Sequence, residues 1–100
     1  MTDQPVTFVN IFDVDPERQE ELLDLLVRGG QEVIRRRPGF RSLTLLAGAD
    51  GRRVLNLARW ACADDARATQ NDPRAADCAA RAAAIAKAAP GLYRVAAEIR

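Results

Sequence analysis

Two strand asparagines and the only tryptophan are the side chains best suited to act on a bound molecule. In VLNLARW, Val54 to Trp60, an asparagine sits at the centre of what otherwise reads as a strand. Asparagine is a poor strand residue, and an amide removed from water costs free energy unless its hydrogen bonds are made. A second asparagine, Asn10, lies in VTFVNIFDV among Val6, Phe8 and Phe12. Alternate residues of a strand share a face, so Val54, Asn56, Ala58 and Trp60 point one way and Leu55, Leu57 and Arg59 the other. Asn56 and Trp60 then stand about 13 Å apart along the strand, with the small Ala58 between them. Polar group, gap and large ring is the layout of a pocket wall. With the two strands side by side, two carboxamides and an indole share one space. Carboxamides donate or accept hydrogen bonds, and an indole stacks on flat rings or donates its N–H. A satisfied strand asparagine beside a core tryptophan is the plainer reading, and spacing alone leaves both open.

The composition removes other chemistries. The chain has no histidine, which excludes triads, haem ligation and zinc sites built on imidazole. Cys62 and Cys78 form no CxxC and read as small, reduced packing residues. A net charge of +1 gives no general attraction to nucleic acid or an anionic membrane. Arg35-Arg36-Arg37 reads as a solvated helix end, without interleaved aromatics for bases. MTDQPVTF lacks a basic region followed by an apolar stretch, and no apolar run approaches the ~20 residues that cross a bilayer. A cytoplasmic protein without membrane or nucleic-acid partners is expected.

The elements that hold the asparagines follow from periodicity. The one hundred residues form a single domain. VTFVNIFDV is a first strand, with Val6, Phe8, Asn10 and Phe12 on one face and Thr7, Val9, Ile11 and Asp13 on the other. Asp15 is the expected N-cap and Pro16 the first position of a helix carrying Leu22, Leu23, Leu26, Val27, Val33 and Ile34. Gly29-Gly30 interrupts that pattern and marks a bend or a close approach. FRSLTLLAG, 40 to 48, is a second strand, and the ADG turn at 49 to 51 returns RVLNLARW beside it as a hairpin. A helix starts at 63 and breaks before Pro73, an alanine-rich helix spans 74 to 89, and PGLYRVAAEIR supplies a turn and final strand. The order β-α-β-β-α-β predicts an α+β, ferredoxin-like plait with an antiparallel sheet in the order 4-1-3-2 and its helices on one face. The first and third strands are then central neighbours. Alanine cannot fill the space above them. The opposite face carries Thr7, Val9, Ile11, Leu55 and Leu57, so a second subunit is expected to cover it.

VTFVNIF, RRRPGFRSLTLL, GRRVLNLARW and APGLY resemble the antibiotic biosynthesis monooxygenase family of small dimeric α+β barrel proteins, and within it the cofactor-free anthrone oxygenases of aromatic polyketide pathways. The resemblance covers nearly the whole chain, and its most specific part is N-x-x-x-W on the third strand together with the first-strand Asn. It implies catalytic roles for Asn10, Asn56 and Trp60. Phe8, Phe12, Ala58, Arg74, Arg81 and Tyr93 complete the expected substrate-contacting set. Arg74 and Arg81 lie near a helix arginine used by some relatives, and Ala66 stands where some carry a tyrosine.

The resemblance further implies a homodimer acting on a flat aromatic polyketide, with O2 as co-substrate and neither metal nor flavin. An anthrone loses a proton from its doubly benzylic CH2 to give a delocalised anion. That anion passes an electron to O2, the radical pair recombines to a peroxide, and loss of water leaves a quinone. Amide N–H groups suit the developing oxyanion, but an amide is a very weak base, and no better one faces the expected pocket. A haem-degrading branch of the superfamily needs a histidine that this chain lacks. A polyketide cyclase on the same scaffold and a non-catalytic ligand-binding dimer remain the alternatives.

Overall fold

Strand-forming residues of the first segment fold as β1, Val6–Val14, the spine of a four-stranded sheet. The computed structural model describes residues 4–100, so the reading of MTDQPVTF falls partly on residues 1–3, outside the described residues. Strands β2 (Phe40–Ala47), β3 (Arg53–Trp60) and β4 (Ala86–Tyr93) complete the sheet in the order β2-β3-β1-β4, every pairing antiparallel. This is the expected plait order read from the other edge. The sheet is open rather than closed into a barrel within one chain.

Helices α1 (Gln19–Glu32), α2 (Ala63–Gln70) and α3 (Pro73–Ala83) pack over the face carrying Phe8, Asn10, Phe12, Val54, Ala58 and Trp60. Pro16–Arg18 forms a 3₁₀ turn before α1, and the Asp15 side chain makes no capping hydrogen bond, contrary to expectation. Gly29 and Gly30 do not break α1. Gly30 is buried against Leu43 of β2, and a methyl at Gly29 would come 3.2 Å from Cys78 Sγ on α3. The pair marks a close approach, not a bend. The β2–β3 turn forms as the sequence demands: Gly51 takes φ +80°, and Asp50 Oδ1 accepts from the Arg52 N–H at 2.9 Å.

Helix α1 ends at Glu32, short of the expected Val33 and Ile34, and Ile34–Arg36 forms a separate 3₁₀ turn. Helix α3 ends at Ala83, not near 89, and the last strand begins at Ala86 and takes in Pro90. Alanine runs carry neither helical nor strand periodicity, and β4 is an edge strand, where proline is tolerated. Residues 94–100 form no regular element and are exposed. In β2 the register slips between Phe40 and Ser42, a bulge that lets Phe40 and Leu43 both pack on the Trp60 side of the core.

Candidate active site

The β1–β3 register sets Asn10 directly opposite Asn56. On either side of this rung stand Phe12 opposite Val54 and Phe8 opposite Ala58, with Val6 opposite Trp60 one step further. Asn10 also faces Pro90 on β4, and Asn56 faces Leu45 on β2. The two amides are therefore cross-strand neighbours at the centre of the sheet, under the helices.

Above them lies a cavity of about 370 Å³, within the range of small-molecule sites. Its floor is Phe8, Asn10, Phe12, Asn56, Ala58 and Trp60, and its roof includes Leu25, Leu26, Ala66, Thr69, Ala75 and Ala82. Lining positions recur at helical spacing, and alanine at most of those on α2 and α3 leaves the volume open. Trp60 is buried and held edge-on by Phe40, with ring centroids 5.7 Å apart at 81°.

Asn10 Oδ1 and Asn56 Oδ1 are both buried without a hydrogen-bond partner. A buried unsatisfied polar group costs about 1–3 kcal/mol, so two on one rung are an expensive feature of so small a fold. Among the described residues, no carboxylate, lysine, arginine or tyrosine lines the cavity. Its polar groups are the two amides, the indole, Thr69, Gln70 and the Cys78 thiol. Thr69 is already committed: its hydroxyl donates to the Asp65 carbonyl at 3.1 Å and accepts from Arg37 Nε at 3.5 Å. Arg37 also reaches Asp72 Oδ1 at 3.4 Å, which ties the α1–β2 connection to the α2–α3 corner. Burial pushes the Cys78 thiol pKa up, with the neighbouring Asp77 charge adding to the effect.

Six of the nine expected site residues meet here: Asn10, Asn56, Trp60, Phe8, Phe12 and Ala58. Arg74 and Arg81 do not. They lie with Asp77 on the stripe of α3 facing a charged groove against α1, and Arg81 is paired with Asp77 at 3.0 Å. Helical periodicity separates them from Ala75 and Ala82, which are buried over the sheet. Tyr93 is also outside the cavity. It pairs with Thr7, whose side chain is on the outer face, is 55% exposed, and lays its ring over Gly91. The sequence reading did not place Thr69 or Gln70 at the site and took Cys78 as a packing residue, because helical spacing among alanines marks no distinct stripe.

An antiparallel plait with an apolar cavity between sheet and helices, floored by two uncommitted amides and an indole, defines a small-molecule site without resident charge. Residues 5–81 match the antibiotic biosynthesis monooxygenase family, and the chain belongs to it. Over 68 residues the chain is 47% identical to tetracenomycin-F1 monooxygenase of Streptomyces glaucescens, a match spanning 68% of this chain and 61% of that relative's own length. Among solved structures, a variant of SnoaB, a cofactor-independent oxygenase from Streptomyces nogalater, superimposes with a TM-score of 0.84 at 28% identity over 98% of both chains. Rv0793 from Mycobacterium tuberculosis shares the fold, with a TM-score of 0.80 at 20% identity over 97% of this chain and all of that one.

Proposed function

We propose that this protein is a cofactor-independent monooxygenase that oxidises the activated CH2 of an anthrone-type aromatic polyketide to a quinone carbonyl. The observation that carries the reading is the pair of buried, unpartnered carboxamide oxygens in an apolar cavity of about 370 Å³. Supporting it are the family membership, the cofactor independence named for SnoaB and the monooxygenase activity named for the tetracenomycin relative.

In the balanced reaction the ring methylene and O2 are converted to a ring carbonyl and water. The flat substrate lies over Phe8 and Phe12 with one edge toward Trp60, and its oxygen substituents meet the Asn10–Asn56 rung. Loss of the methylene proton places negative charge on the substrate oxygen. An amide N–H directed at that oxygen stabilises the anion without reorganisation, in a space lined mainly by apolar side chains. The anion gives one electron to O2, the radicals join as a C–O bond, and the peroxide loses water across its C–H and O–O bonds. Among the described residues no side-chain base lines the cavity, so the acidity of the doubly benzylic methylene sets the first step. The departing proton passes to water.

The outer sheet face is the proposed homodimer surface. It exposes Leu46 and Tyr93, 47% and 55% accessible, beside half-buried Val9, Ile11, Leu55 and Leu57. Sedimentation is expected to report a dimer at micromolar concentration, and a monomer there would overturn this assignment. For the reaction, metal- and flavin-free protein is expected to convert an anthrone to the quinone with one O2 consumed per product. Cyclisation of a poly-β-ketone without O2 uptake would move the chain to the cyclase class.

A further inference from the structure

Two stretches of the cavity wall are of opposite character. On the α1–α3 side its wall is the contact between Gly29 and Cys78, where even a methyl on Gly29 would sit 3.2 Å from the sulfur. Beyond that seam lies a groove of about 730 Å³ whose lining includes Glu21, Asp24, Arg28, Glu32, Asp77 and Arg81. On the α3–β4 side the lining residues are themselves exposed: Ala76, Ala79 and Ala83 of α3, and Ala88 and Pro90 of β4. Exposed helix positions ordinarily carry long polar side chains, yet none of these reaches past Cβ, and the proline ring is the largest group present. The β1–β4 register sets Pro90 opposite Asn10 and Ala88 opposite Phe12. The rung with the two orphaned amide oxygens therefore lies directly inside this gap.

We infer that the α3–β4 gap is the mouth through which substrate enters, and that the side-chain size at 76, 79, 83 and 88 selects the ring system admitted. A neutral polycycle crosses a rim of methyl groups without stripping water from charges, whereas the closed seam would require it to pass the ionised side chains of the groove. A ring system inserted edge-first between α3 and β4 meets the amide rung first and reaches Trp60 last. The width of the gap thus discriminates substrates before chemistry begins. This rests on the proposed oxidation only for the identity of the substrate.

Trp60 supplies a readout independent of turnover, because the only tryptophan lies on the cavity floor. Binding of a hydroxylated tricyclic anthraquinone, which is not turned over, is followed by quenching of tryptophan emission in stopped flow. Ala79→Leu and Ala83→Leu place good helix formers at exposed positions, so either alone keeps the test alive if the other folds poorly. The expected result is an association rate at least tenfold lower in these variants, and under twofold lower in Gly29→Ala, which narrows only the seam. With an anthrone as substrate, kcat/KM should fall more for a tetracyclic than a tricyclic ring system while kcat at saturation holds within twofold. Slower association in Gly29→Ala, or unchanged association in both leucine variants, would overturn the mouth assignment. Quinone binding slowed by the leucines in a protein that oxidises no anthrone would leave the mouth standing and remove the oxygenase reading instead.

Discussion

The helix-facing side of the sheet holds two packing regimes divided by one rung. At the β1 C-terminal end, Phe12, Val14, Leu22, Val54 and Ala82 form a cluster sealed except where Phe12 and Ala82 border the cavity, with Leu22, Val54 and Ala82 wholly inaccessible. At the other end, Ala58, Trp60 and Ala66 are the buried members, and Val6, Phe8, Ile34, Phe40, Leu43 and Leu92 are only partly covered. Asn10 and Asn56 lie between the two. Both ends use the same strands and the same helical layer, so topology does not explain the difference. Side-chain volume does. Branched aliphatic residues, Leu22 of α1 foremost, fill one end, whereas Ala66 of α2 and Ala75, Ala76 and Ala79 of α3 leave space over the sheet at the other. Stability is concentrated where the amides are absent, and the vacancy is kept where they are present.

The hardest blow to the sealed end is Leu22→Ala, expected to cost about 2–5 kcal/mol by removing a fully buried side chain. Urea denaturation measures it, and turnover per folded molecule is expected to stay within twofold of wild type. A parallel fall in turnover would mean that the two ends are one mechanical unit.

Asn56→Leu tests the rung from the other direction. Turnover is expected to fall about 10²–10³-fold, the scale of losing one preorganised oxyanion donor. Stability is expected to rise by about 1–2 kcal/mol, because an orphaned amide oxygen is removed and part of the vacancy is filled. Loss of stability comparable to Leu22→Ala would return Asn56 to a structural role. Asn10→Leu is expected to follow the same pattern, its partner being directly across the strand pair.

This division explains what could be read from the sequence. The strand faces, hairpin, sheet order and the shared face of Asn10 and Asn56 followed from alternation, turn chemistry and connection rules, whereas their exact pairing across the strands came from the structure. The open end was harder. Alanine at 75, 76, 79, 82 and 83 gives little periodic contrast, so the stripe of α3 meeting the cavity could not be told from the stripe carrying Arg74 and Arg81. The same blandness hid the end of α3 at Ala83 and the start of β4 at Ala86. Tyr93 sits one residue from Leu92, which does face the core, and the register that separates them depends on that hidden start.

A smaller effect is expected where the two helices of the open end join. The Asp72 carboxylate caps α3 by accepting from the Arg74 and Ala75 N–H groups at 3.1 and 3.2 Å, and it also receives Arg37. Asp72→Ala is expected to cost about 1 kcal/mol from the lost cap. The ion pair adds less, being partly solvated with a 3.4 Å separation. Because Arg37 also holds Thr69 at the cavity roof, KM should rise with kcat little changed. Asp72→Asn, which keeps a capping oxygen, should recover most of the stability.

The smallest effect is read at the seam between the cavity and the charged groove. Desolvation and then the Asp77 charge raise the Cys78 pKa above the ordinary value of 9.0. The sign follows from which form the fold prefers. The folded protein favours the neutral thiol, so this contribution to stability is full below the unfolded-state pKa and is lost as pH rises through the folded one. Thiolate is the reactive species, so alkylation of Cys78 in a Cys62→Ser background should be slow at neutral pH. Its rate should still be climbing where a free thiol has levelled off. Because Cys78 lines the cavity, a bound tricyclic anthraquinone should slow alkylation further, whereas the same quinone should leave Cys62, which does not line the cavity, unprotected in a Cys78→Ser background. Equal protection of both cysteines would mean that the ligand tightens the whole fold and that the open end is not a separate compartment.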